Sequence, residues 1–124
     1  MSKKILLIED EKMLAEMYQE RLKKEGFEVA RAVDAEGGIA IAKNEKPDLI
    51  LLDIILPDAH MDGTDALKDL KESKDTKDIP VILFSNYDTP EVRKIAKDHN
   101  TTYILKTSAT TKDLVEAIKR EIGE

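Results

Sequence analysis

Four short apolar runs in this chain each stop at a polar residue. Ile5-Leu6-Leu7-Ile8 ends in Glu9-Asp10, and Leu49-Ile50-Leu51-Leu52 ends in Asp53. Val81-Ile82-Leu83-Phe84 ends in Ser85, and Tyr103-Ile104-Leu105 ends in Lys106. The first three are apolar on both faces, as central strands of a parallel sheet must be. Amphipathic segments separate the runs, which is the signature of repeated βα units. A carboxylate at the end of a buried strand is costly unless something uses it. Parallel strands share one C-terminal edge, so Glu9, Asp10, Asp53, Ser85 and Lys106 are expected to converge there. In open α/β sheets that edge holds the ligand and the chemistry.

The pattern predicts strands over Lys4–Ile8, Glu28–Ala32, Leu49–Leu52, Val81–Phe84 and Thr102–Leu105. Glu28-Val29-Ala30-Arg31-Ala32 alternates in polarity and reads as an edge strand. The first helix carries Leu14, Met17, Tyr18 and Leu22 at helical spacing and stops at Gly26. A second, over Ala35–Asn44, is weakened by Gly37-Gly38. A third lies near Thr64–Glu72, with Leu67 and Leu70 inward. A fourth has Thr89 as N-cap and Pro90 in the first helical position. A fifth places Leu114, Val115, Ile118 and Ile122 on one face. Five βα units imply an α/β fold: a doubly wound (βα)5 parallel sheet of order 2-1-3-4-5, a flavodoxin-like three-layer sandwich.

At 124 residues the chain fits one domain, 1–124, with no linker or repeat. It has no Cys, which removes disulfides, thiolate catalysis and Cys-based zinc sites. The net charge of −6 disfavours direct nucleic-acid binding. No apolar run reaches the roughly 18 residues of a membrane span, and Met1-Ser2-Lys3-Lys4 leads straight into a strand without room for a signal peptide. A cytoplasmic protein is therefore expected.

Carboxylates gathered in one pocket repel each other, and a hard divalent cation relieves that repulsion. Mg2+ accepts a few carboxylates, a carbonyl and several waters. Glu9, Asp10 and Asp53 can supply the first and the Ile55 backbone carbonyl the second. Lys106 adds a compact positive charge and Ser85 a hydroxyl. Such a set can stabilise a phosphoryl group passing onto a carboxylate. Asp53, single and central, is the expected nucleophile.

The constellation resembles the receiver domain of two-component response regulators. The resemblance rests on Ile8-Glu9-Asp10-Glu11, Asp53 with Pro57 four residues later, Ser85, and Tyr103-Ile104-Leu105-Lys106, and it covers essentially the whole chain. It implies that Asp53 accepts phosphate from a histidine kinase or histidine phosphotransfer protein. Glu9, Asp10, Asp53 and Ile55 would hold Mg2+. Ser85 and Lys106 would contact the phosphoryl group, and Tyr103 would be the aromatic switch. The protein would act on an effector partner and catalyse nothing beyond its own phosphorylation and dephosphorylation. Thr101-Thr102 stand where dimerising relatives carry acidic residues, so a monomer or weak dimer is expected.

The sequence departs from that family pattern where Pro usually follows the Lys. Here Thr107 follows, and a cis bond before it would cost about 3–4 kcal/mol, so a trans bond is expected. Ser108 replaces an aromatic residue, Asn86 replaces Ala or Gly, and the Pro57–Gly63 loop is long. Ile55 and Tyr87 would flank the path of an attacking water, which implies a long-lived phosphorylated state. Three other functions share parts of the pattern. A Mg2+-dependent phosphohydrolase needs a second Asp where Ile55 stands. A phosphorylation-independent receiver-like scaffold needs none of the acidic residues. A flavin carrier needs a phosphate loop after the first strand, where Glu9-Asp10-Glu11 would instead repel the phosphate. His60 reads as a solvated loop residue, His99 as a cation at a helix end, and the charged stretch Lys68 to Asp78 as solvated surface.

Overall fold

In the computed structural model, which describes residues 2–54, 62–86 and 88–123, strands and helices alternate along the chain. The strands are β1 (Lys4–Ile8), β2 (Glu28–Ala32), β3 (Leu49–Leu52), β4 (Val81–Ser85) and β5 (Thr102–Leu105). The helices are α1 (Lys12–Lys24), α2 (Ala35–Glu45), α3 (Gly63–Glu72), α4 (Pro90–Asp98) and α5 (Thr111–Ile122). The strands form one parallel sheet in the order β2-β1-β3-β4-β5. The expected topology is therefore present, with alternating β2 at an edge and β3 in the centre.

The two-residue period of the strands divides the core into two layers. Leu6, Ile8, Ile50, Leu52 and Leu83 pack beneath α2, α3 and α4. Ile5, Leu7, Leu49, Leu51, Ile82 and Phe84 pack against α1 and α5. The starts of α3, α4 and α5 are fixed by side-chain caps. Thr89 accepts from the Val92 amide ahead of Pro90, and reciprocal capping boxes join Asp62 to Asp65 and Thr110 to Asp113.

Four local expectations are corrected. Met17 is 45% exposed and does not join the buried stripe of α1, which runs through Ala15, Tyr18 and Leu22. Gly37-Gly38 does not interrupt α2, which runs Ala35–Glu45, and Gly38 fits a close approach: a Cβ there would lie 2.3 Å from Cδ1 of buried Ile8. α3 begins one residue early, at Gly63. The charged stretch is not wholly solvated: the buried Thr76 hydroxyl donates to the Leu70 carbonyl, and half-buried Lys71 donates to that of Ile79. His99 caps α4, with Nδ1 2.9 Å from the Ile95 carbonyl. Ile55, His60 and Tyr87 lie outside the described residues. Among the described residues there is no cis peptide bond, so Lys106–Thr107 is trans, and no helix is long and apolar enough to cross a membrane.

Candidate phosphoacceptor site

Three functional side chains sit one residue past the end of a strand, where the backbone ladder still holds. The Glu9 amide donates to Ala32 O at 3.0 Å, Asp53 to Ile8 O at 3.1 Å, and Lys106 to Ser85 O at 2.9 Å. Their backbones are thus fixed by the sheet, although their polar side chains leave the apolar runs. Ser85, the last residue of β4, is buried.

The side chains meet at the expected edge. The Lys106 ammonium lies 2.5 Å from Glu9 Oε1 and 3.0 Å from Asp53 Oδ2. All three side chains are almost dry, at 8%, 3% and 11% exposure, so water screens this triad weakly. The Glu11 amide donates to the second Glu9 oxygen. Burial pushes the Glu9 carboxyl above its ordinary value, outweighing the pull of Lys106 in the other direction. Burial alone would lower Lys106, but its bonds to Glu9 and Asp53 more than offset this and hold the ammonium above its ordinary value.

Glu9, Asp10 and Asp53 each place one oxygen within 4.8 Å of the others. Asp10 is exposed while Glu9 is buried, so the cluster opens to solvent on one side. An all-oxygen donor set with room for water fits Mg2+ and not a softer metal. These residues, with Ser85, Asn86 and Lys106, line a cleft of about 290 Å3.

Three supporting residues carried no motif signal. Phe84 lies under Lys106, with the ammonium 5.5 Å from its ring centroid, and its ring meets Tyr18 edge-on at 5.1 Å. Gly63 seats α3 directly on the backbone of Asp53 and Ile54: a Cβ there would lie 2.2 Å from Asp53 O and 2.4 Å from Ile54 Cα. Arg31 reaches from β2 to the carbonyls of Glu9 and Asp10. Only a continuous apolar run marked the first as a core residue, and only alternation marked the last as an edge residue; the role of Gly63 depends on packing absent from local sequence. Tyr103 is half-buried on β5 and packs against the α2–α3–α4 layer. Burial, then the negative charge of Asp88, pushes its hydroxyl above the ordinary tyrosine value.

Comparison with known proteins agrees with this geometry. The profile of the response regulator receiver domain matches residues 5–119. A CheY-like response regulator receiver domain protein from Methanospirillum hungatei JF-1 superposes with a TM-score of 0.91 at 30% identity, covering 99% of this chain and 95% of that one. The signal receiver domain of a signal transduction histidine kinase from Syntrophus aciditrophicus gives 0.87 at 25% identity, covering 98% and 91%. The chemotaxis protein CheY4 of Vibrio cholerae gives 0.86 at 23% identity, covering 97% and 98%, a likeness of fold.

Proposed function

This chain belongs to the family of response regulator receiver domains, and we propose that it takes a phosphoryl group onto Asp53 from the phosphohistidine of a histidine kinase or phosphotransfer protein. The observation that carries this reading is the nearly dry Lys106, held between Glu9 and Asp53 at the ends of three different strands. A buried ion triad is weak as a stabilising device, since apolar replacements of such groups are often as stable or more so. A scaffold that only binds a partner has no use for it; a phosphoryl acceptor does.

In the proposed reaction an Asp53 carboxylate oxygen attacks phosphorus. The P–O bond forms as the P–N bond to the donor imidazole breaks, and the electron pair returns to the imidazole nitrogen. Lys106 holds a positive charge beside the carboxylate as the phosphoryl oxygens arrive, a task that favours prepositioned charge. Ser85 supplies a hydroxyl from the end of β4. Glu9, Asp10 and Asp53, with the carbonyl of Ile55, would hold Mg2+. When bound, that cation neutralises charge on the phosphoryl oxygens. Ser85 and Tyr103 would then pass the change to the surface that meets an effector. We read the protein as one domain over residues 1–124, cytoplasmic, monomeric or weakly dimeric, without direct nucleic-acid contact and without turnover of other substrates.

Incubation with acetyl phosphate and Mg2+, followed by intact mass, tests the reading. One base-labile phosphoryl group should be added, and Asp53→Asn should abolish it. Stoichiometric labelling of the Asn variant would overturn the assignment.

A further inference from the structure

We propose that Arg31 is a positioning residue for the metal-binding pair, acting by bridging the backbone carbonyls of Glu9 and Asp10. The inference rests on the phosphoacceptor reading for the purpose of the cation, and on geometry for the clamp itself. Arg31 is the fourth residue of β2, and the register pairs it with Leu7 of β1. Leu7 faces the α1–α5 layer, so Arg31 rises on the side where α1 begins. From there Nε donates to Glu9 O at 3.2 Å and an Nη to Asp10 O at 3.1 Å.

Within the connection that Arg31 grips, the Glu11 amide also bonds the Glu9 carboxylate at 3.3 Å. Glu11, the N-cap of α1, makes no side-chain cap bond, and the first turn of that helix carries no acidic residue. The Glu9 amide is tied to Ala32 O, and Arg31 ties the carbonyl of the same residue. β2 therefore holds Glu9 on both sides, and holds Asp10 through its carbonyl. This fixes the directions in which the two carboxylates leave the backbone. A planar guanidinium fork can span two successive carbonyls, whereas an ammonium is a point donor.

Charge and clamp act in opposite directions, which makes the proposal decidable. A positive guanidinium beside a cation site weakens cation binding by Coulomb repulsion. A clamp that preorganises the ligands strengthens it, and removing outer-shell partners of metal ligands lowers affinity 10–100-fold.

The experiment uses the full chain with Arg31→Lys and Arg31→Met, their folding checked by circular dichroism. Mn2+ binding is followed by the paramagnetic resonance of the free ion, and labelling by acetyl phosphate is measured across Mg2+ concentrations. Both variants should bind Mn2+ about tenfold more weakly, at the low end of that range because Arg31 is partly exposed. Their labelling should be slow at low Mg2+ and return to the parent rate at saturation. Unchanged or tighter Mn2+ binding in both variants overturns the proposal. Parent-like affinity in Arg31→Lys with weakened Arg31→Met overturns the bridging fork. If the parent binds Mn2+ but Asp53 is not the labelled residue, the phosphoacceptor reading fails, and the Mn2+ affinities still decide the clamp. A parent that binds no Mn2+ overturns the clamp as well.

Discussion

Replacing Lys106 with Met removes the cation between Glu9 and Asp53 while keeping an unbranched side chain. Glu9 is 2% exposed and Asp53 9%, so water replaces the ammonium poorly. Removing one partner from a buried pair typically costs about 3–5 kcal/mol. The variant has one escape, which is to bind a proton on a carboxylate. For Glu9, with an ordinary value of 4.5, a neutral carboxyl at pH 7 costs about 3.4 kcal/mol, from 2.5 pH units at about 1.36 kcal/mol each. The loss of stability should therefore level off near 3 kcal/mol at pH 7 and shrink by about 1.4 kcal/mol per unit as pH falls toward 4.5. The sign follows from proton counting. In that window the folded variant holds a proton that the unfolded chain has released, so its stability falls as pH rises.

The parent shares that sign with a smaller amplitude, because burial already raises Glu9 against the pull of Lys106. The quantity to measure is thus variant minus parent. The raised Lys106 pKa keeps its side of the pair intact until pH passes above 10.5, outside the range of the test. Urea unfolding at pH 5, 6 and 7 in chelator gives the difference by linear extrapolation. Saturating Mg2+ should raise the variant's midpoint more than the parent's. A difference that is the same at pH 5 and pH 7 would refute the buried-charge reasoning.

Gly63→Ala forces a methyl into the Asp53–Ile54 backbone, at 2.2 Å from Asp53 O and 2.4 Å from Ile54 Cα. Overpacking of this kind costs about 1–3 kcal/mol and exceeds the roughly 1 kcal/mol that Ala gains over Gly in a helix interior. Lower thermal stability and slower labelling are expected together; parent values for both would show that α3 can slide off the Asp53 backbone. Asp10→Ala should weaken Mg2+ binding yet change metal-free stability by less than about 0.5 kcal/mol, because Asp10 is exposed. A metal-free variant stabilised by 1 kcal/mol or more would place Asp10 in the same repulsive pocket as Glu9.

What the sequence shows most clearly is whatever depends on local pattern. Leu49 to Leu52 is short and apolar on both faces, so it can be little else than a central strand, and Asp53 follows as its costly end. Thr89-Pro90 marks a helix start because cap and ring geometry are both local. The misreadings concern distant surfaces. Met17 has the spacing of a buried residue, but the core covers Ala15, Tyr18 and Leu22 and part of Leu14 instead. Gly38 looks like a helix breaker until Ile8, thirty positions earlier, is found against it. Arg31 looks like the polar half of an alternating edge strand, and its partners are carbonyls, which no motif records.

The energetics of the site separate what the fold needs from what the chemistry needs. Two carboxylates and an ammonium with almost no solvent contact are not a device for stability, since apolar groups of similar volume serve that purpose as well or better. The sheet tolerates them because each is the first residue past a strand whose amide still bonds to the neighbouring strand. Backbone position is therefore set by the ladder, and side-chain identity is left free for function. The same arrangement explains why Lys106 stays in reach without proline after it. Lys106 is tied through its amide to Ser85 O and through its side chain to Glu9 and Asp53. The Ser108 and Ala109 amides then return to Leu105 O, which turns the chain toward α5 through a trans bond.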